Sequence, residues 1–94
     1  MGAASSMTRE RDIEAYLSEH VRRLGGLSYK LAPTTAGLPD RLLVLPGGRI
    51  VLVEVKRPGG KLRRVQEEIR RRLTARGVEV LVIYNKDDVR KLIK

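Results

Sequence analysis

Asp40, Glu54 and Lys56 stand at the ends of the two most apolar stretches of a 94-residue chain. The first closes G-L-P-D (37–40), and the other two lie in V-E-V-K (53–56). Two carboxylates brought side by side repel, and the repulsion is relieved by raising one pKa or by recruiting a cation. Hard oxygen donors suit Mg²⁺ or Mn²⁺. A cation held there neutralises the acids, polarises a phosphoryl oxygen and helps form hydroxide from water. A neighbouring lysine orients that water or stabilises charge building on a phosphorane-like transition state. Pro39 fixes its own φ and restrains Leu38, which steadies the turn carrying Asp40. A lone E-x-K is more often a surface ion pair on an edge strand, and a lone Asp a turn cap. What points to a site is the coincidence of P-D, a hairpin-length gap and E-V-K at a strand end.

The elements that must position these residues are legible from periodicity. RLLVL (41–45), the turn PGG (46–48) and RIVLVEV (49–55) read as an antiparallel hairpin with a short loop. Its pairing sets the start of one strand beside the end of the next, so Asp40 and Glu54 meet despite a separation of 14 residues. Alternation puts Ile50, Leu52, Glu54 and Lys56 on one face and Val51, Val53 and Val55 on the other. Upstream, Ile13, Leu17, Val21 and Leu24 recur at helical spacing, with Thr8 as the expected N-cap and Gly25-Gly26 as the stop. A short strand is predicted over 27–32, followed by the loop PTTAG (33–37).

Downstream, PGG (58–60) breaks the chain, and a helix is predicted over 61–76 with Leu62, Val65, Ile69 and Leu73 as its buried stripe. VEVLVIY (78–84) is a nearly continuous apolar run, as expected of a strand covered on both faces. Its connection through a helix favours parallel pairing with the second hairpin strand. A last helix is expected over 87–93. The order is α-β-β-β-α-β-α, an α/β fold with a four-stranded mixed sheet flanked by helices.

The net charge is +9, with 20 Lys and Arg against 11 Asp and Glu. Nine of the 20 lie between Lys56 and Arg76, so the positive charge is concentrated after the E-V-K motif. Such an excess favours polyanions, nucleic acid first and anionic membrane second. With no Phe or Trp and three Tyr, the stacking platforms of a single-strand binder are missing, which leaves phosphate contacts and shape. No cysteine is present, which suits a reducing cytosol. No run approaches the roughly 20 apolar residues of a membrane span, and no membrane partner is expected. MGAASS (1–6) reads as a tag remnant or disordered tail, leaving 7–94 as one domain. His20 has no partner spacing for zinc and reads as structural. Gly47-Gly48 and Gly59-Gly60 are turns and fit no P-loop pattern.

G-L-P-D, then V-L-V-E-V-K, resembles the signature of the PD-(D/E)xK nuclease superfamily. The longer string G-L-P-D-R, L-P-G-G-R, V-E-V-K-R-P-G-G-K-L and the following Gln66 is similar to the stand-alone VRR-NUC (virus-type replication-repair nuclease) family over about residues 9–94. The resemblance implies a metal-dependent endodeoxyribonuclease with a PD-(D/E)xK core and Mg²⁺ or Mn²⁺ as cofactor. Asp40 and Glu54 match its metal-binding acids, the Val55 carbonyl a further metal ligand, Lys56 the catalytic lysine and Gln66 a glutamine facing the site. The superfamily also carries a glutamate on its first helix. Glu10 and Glu14 both stand there, and spacing favours Glu14 as a catalytic and metal-binding residue.

Lys30, Arg41, Arg57, Lys61, Arg63 and Arg64 are the expected DNA contacts, with Arg70 and Arg71 extending that surface. Stand-alone VRR-NUC proteins look like homodimers that resolve four-way (Holliday) junctions. The implied protein is a homodimer acting on branched DNA in the cytoplasm of a bacterial or phage-infected cell. The alternatives are a flap or non-specific nuclease and a non-catalytic nucleic-acid-binding subunit of a repair complex. The apolar residues of VIYNKDDVRKLIK (82–94) are expected to contribute dimer surface.

Overall fold

The computed structural model describes residues 9–32 and 34–94. The expected tail at 1–6, the start at Met7 and the Thr8 cap lie outside the described residues. The elements run α1 (Glu10–Arg23), β1 (Leu27–Lys30), β2 (Arg41–Leu45), β3 (Arg49–Val55), α2 (Arg64–Thr74), β4 (Val80–Ile83) and α3 (Lys86–Leu92). The α/β class and the predicted order hold.

The strands form one sheet in the order β1-β2-β3-β4. β1 pairs with β2 and β2 with β3 antiparallel, while β3 and β4 run parallel. These directions bring the C-terminal ends of β1, β3 and β4 and the N-terminal end of β2 to one end of the sheet. Lys30, Asp40, Arg41, Glu54 and Lys56 all lie at that end.

Alternation divides the sheet into two unlike faces. Val51, Val53 and Val55 join Leu43, Leu45 and Ile83 in a core closed by Ile13, Leu17 and Val21 of α1 and by Val89 and Ile93 near the C-terminus. Each such side chain contributes roughly 1.5–3 kcal/mol of burial. α1 ends in a Schellman turn: Gly26 N–H donates to Val21 O at 2.9 Å and Gly25 N–H to Arg22 O at 3.0 Å, with Gly25 at φ +84°. His20 Nε2 lies 2.6 Å from Ile93 O, which fastens α1 to the end of α3. Its structural role is thereby accounted for.

The other face is sparsely covered. Leu27, Val44 and Ile50 form one row across β1–β3, and Tyr29, Leu42, Leu52 and Val80 form the next. Leu27, Tyr29 and Ile50 are each more than half exposed, at 53%, 54% and 56%.

Several expectations are corrected. α2 is shorter than 61–76: Arg63 is its N-cap, and Gln66, at the third helical position, accepts the Arg63 N–H. The only residue of α2 that is buried is Gln66; Val65 is exposed, and Leu62, Ile69 and Leu73 are half-buried. β4 is an edge strand, yet Val80 on one face and Ile83 on the other are both buried, as its apolar run predicts, while Leu81 and Val82 are half-buried. Val89 and Ile93 are consumed by the core, which leaves Leu92 as the exposed large aliphatic residue of the C-terminal segment.

Candidate active site

Asp40 stands where β2 would begin. Its N–H donates to Val53 O at 3.0 Å, and its Oδ2 accepts the Val55 N–H at 2.8 Å. The side chain thus stands in for a backbone carbonyl as the acceptor of the Val55 N–H. Pro39, which precedes it, has no N–H to donate in the other direction. Leu38 N–H is directed to Thr35 O at 3.3 Å. Among the described residues no loop or side-chain donor engages the Val55 carbonyl, which stands next to Glu54.

Glu54 projects from β3 on the sparsely covered face and is 4% exposed. Burial pushes its pKa up, as do the hydrogen bond between the two carboxyl groups and the Asp40 charge. The Lys56 and Arg63 charges oppose this, and the result is about 8. An acid held protonated at neutral pH by burial first and by its neighbour second is a site whose charge is incomplete. Lys56 shares the face of Glu54 and is half-buried, with its own N–H donating to Ile83 O at 2.8 Å. Gln66 is buried, and its Oε1 accepts the Arg63 N–H at 2.7 Å, which leaves the amide N–H groups free to act as donors.

Glu14 is placed differently from the Asp40–Glu54 pair. Its Oε2 accepts from Arg41 Nε at 2.8 Å and from Lys30 Nζ at 3.4 Å. Arg41 Nη1 also donates to Ser28 Oγ at 3.2 Å. The Glu14 and Arg41 side chains are 14% and 17% exposed, so the pair is largely withdrawn from solvent. Glu10 lies exposed in the first turn of α1. Among the described residues no three His, Cys, Asp or Glu side chains come together as a metal-ligand group. Sequence reasoning missed the nearness of Arg63 to Glu54; its place three residues before the motif glutamine was the available signal. Arg57, Lys61 and Arg64 are exposed on the loop and first turn that follow β3.

The chain matches the VRR-NUC domain model over residues 4–87. It belongs to the VRR-NUC family. A solved structure titled "VRR_NUC domain" superposes with a TM-score of 0.85 at 38% identity, covering 92% of this chain and 95% of that one. The chain is also 43% identical over 82 residues to the protein named "Putative nuclease p44" of Acyrthosiphon pisum secondary endosymbiont phage 1, spanning 86% of this chain and 88% of that protein. The VRR-NUC fold and the nuclease class thus stand on sequence and structure together. No helix among the described residues is long and apolar enough to cross a membrane.

The donor chemistry of this VRR-NUC site fits a hard divalent cation. Asp40, Glu54 and the Val55 carbonyl offer oxygen only, and a cation would offset the burial and the Asp40 charge that together keep Glu54 protonated.

Proposed function

We propose that the protein is a Mg²⁺- or Mn²⁺-dependent endodeoxyribonuclease that cuts branched DNA as a homodimer. The observation that carries the catalytic part is Glu54: buried, beside Asp40, with its pKa raised to about 8 and with two cations, Lys56 and Arg63, acting on it.

Asp40, Glu54 and the Val55 carbonyl would hold the cation. Glu14 spends Oε2 on Arg41 and Lys30, while no hydrogen bond or ion pair among the described residues engages its Oε1. That oxygen remains for the cation or its waters. When bound, the ion supplies neutralisation of the acids, polarisation of a phosphoryl oxygen and activation of water. Lys56 presents its ammonium to the charge that builds on the phosphoryl oxygens during in-line attack. Gln66, fixed by its bond to Arg63 N–H, donates its amide into the site. Lys30, Arg57, Lys61, Arg63 and Arg64 sit at or next to the same end of the sheet and take the flanking phosphates, which fix register without reading bases, whereas Arg41 is spent on Glu14 and Ser28.

The homodimer is supported by the sparsely covered sheet face. Two apolar rows on Leu27, Val44 and Ile50 and on Tyr29, Leu42 and Leu52 suit a second copy of themselves, as a twofold interface requires. Two active sites in one dimer match a substrate with two strands to cut.

Labelled four-way junction, flap and linear duplex, each with Mg²⁺ and Mn²⁺, test the substrate. Preferential cutting of the junction is expected. Equal cutting of linear duplex would discard the branched substrate and keep the nuclease.

A further inference from the structure

Gly37 lies at φ +88° against helix α2, and a Cβ built on it would stand 2.6 Å from Val65 O, 2.9 Å from Val65 C and 3.0 Å from Ile69 Cγ1. The nearest obstruction is backbone, which cannot rotate aside as a side chain can. Gly37 is three residues before Asp40, and Val65 immediately precedes Gln66. The contact therefore joins the loop that delivers the acid to the helix that delivers the amide and, at its N-cap, Arg63.

α2 has few other attachments. It packs along β4, and its apolar stripe is only partly covered. The loop at Gly37 supplies the cover that the sheet does not. Asp40, by contrast, is tied to β3 by both its N–H and its carboxylate. If the two segments are forced apart, Asp40 stays and the N-terminal turn of α2 yields.

Resting on the nuclease reading above, we infer that Gly37 is a positioning residue, which sets the distance between the Asp40–Glu54 carboxylates and Gln66 and Arg63 by letting loop and helix backbones touch. It acts through Gln66 and Arg63 and touches neither substrate nor cation. Misplacement of a site group by about 1 Å can cost on the order of 10²-fold in rate.

The test is Gly37→Ala against Gly47→Ala. Gly47 has a similar φ of +87°, but an added Cβ there meets nothing within 4 Å, so it carries the dihedral strain without the collision. Three readouts are needed on the full chain: amide chemical shifts, Mn²⁺ binding, and kcat and KM for DNA cleavage. In Gly37→Ala the Arg63 backbone and Gln66 side-chain amides should shift while the Asp40 and Val55 amides hold. Mn²⁺ affinity should stay within about threefold, and kcat should fall tenfold or more with a smaller change in KM. Gly47→Ala should match the parent in all three.

Unshifted Arg63 and Gln66 amides in a folded Gly37→Ala protein would overturn the inference. So would unchanged kcat despite the shift, or equal losses in both variants. If the parent protein cuts no DNA, the nuclease reading fails by itself, and the amide shifts and Mn²⁺ binding still decide whether Gly37 sets the position of α2. Should Gly37→Ala not fold, the same Gly37→Ala change in a background of Ile69→Ala, with one of the three close contacts removed, must show the same selective shift relative to Ile69→Ala alone, and its absence would likewise overturn the inference.

Discussion

The Asp40 carboxylate accepts the Val55 backbone N–H at 2.8 Å, so one acid both completes a sheet ladder and stands beside Glu54. A residue in that position has a structural duty separable from its chemical one. Asp40→Asn keeps an oxygen acceptor for Val55, whereas Asp40→Ala leaves the N–H without a partner. Asp40→Ala should lose about 1–3 kcal/mol of stability by denaturant titration and Asp40→Asn less than about 1 kcal/mol. Both should lose metal-dependent cleavage. Equal stability of the two variants would contradict the ladder role.

The raised pKa of Glu54 links proton, cation and stability. Between its ordinary value of 4.5 and about 8, folded protein holds a proton that the unfolded chain has released. In chelator, this group's contribution is therefore fully present below about pH 4.5 and is lost progressively as the pH rises towards 8. Glu54→Gln, which mimics the protonated acid, should remove that slope. Mn²⁺ competes with the same proton, so its affinity should rise by up to about tenfold per pH unit below 8 and then level off. Melting curves at pH 6 and 8, with and without Mn²⁺, check both. A stability gap between parent and Glu54→Gln that does not change with pH would contradict the shift.

Glu14 and Arg41 form a largely buried ion pair, unlike the exposed Arg22–Glu19 pair on α1. Removing one partner of the buried pair strands the other charge. Glu14→Ala should cost roughly 2–4 kcal/mol, and a double-mutant cycle with Arg41→Ala should give a coupling above about 1 kcal/mol. The same cycle for the exposed Arg22 and Glu19 should give a clearly smaller coupling, which falls further in salt. Similar couplings for the two pairs would show that burial does not distinguish them.

The sparsely covered sheet face gives a direct test of assembly. Ile50 and Leu27 pair with Val44 and are distant in register from the Asp40 end of β2. Ile50→Lys should therefore convert a dimer into a folded monomer by sedimentation, with Mn²⁺ binding per chain unchanged. A parent protein that sediments as a monomer at tens of micromolar would remove the homodimer from the proposal.

The hairpin and its charged end were legible because period-two alternation in β3 is unbroken and the PGG turn leaves one plausible register. The contents of α2 were less legible. Leu62 extends the stripe of Val65, Ile69 and Leu73 on paper, yet Gln66 caps Arg63 and so begins the helix after Leu62. The stripe itself predicts burial, but helical spacing does not say what covers it, and here part of the cover is a glycine loop. The apolar run of β4 reads as a strand covered on both faces, and Val80 and Ile83 are buried on opposite faces, but the run does not say that β4 stands at the edge of the sheet. The Glu14–Arg41 pair spans 27 residues and three elements, and no local pattern encodes such a contact.

The central claim is that Asp40 and Glu54 form a cation-dependent phosphodiesterase centre. The most direct measurement is single-turnover cleavage of a labelled four-way junction at saturating Mn²⁺, comparing the parent with Glu54→Gln under conditions where both are shown to be folded and bound to DNA. Cutting by the parent that stops in EDTA, and a loss of 10³-fold or more in Glu54→Gln, is the predicted result. Cleavage by Glu54→Gln at the parent's rate, or by the parent in EDTA, would contradict it.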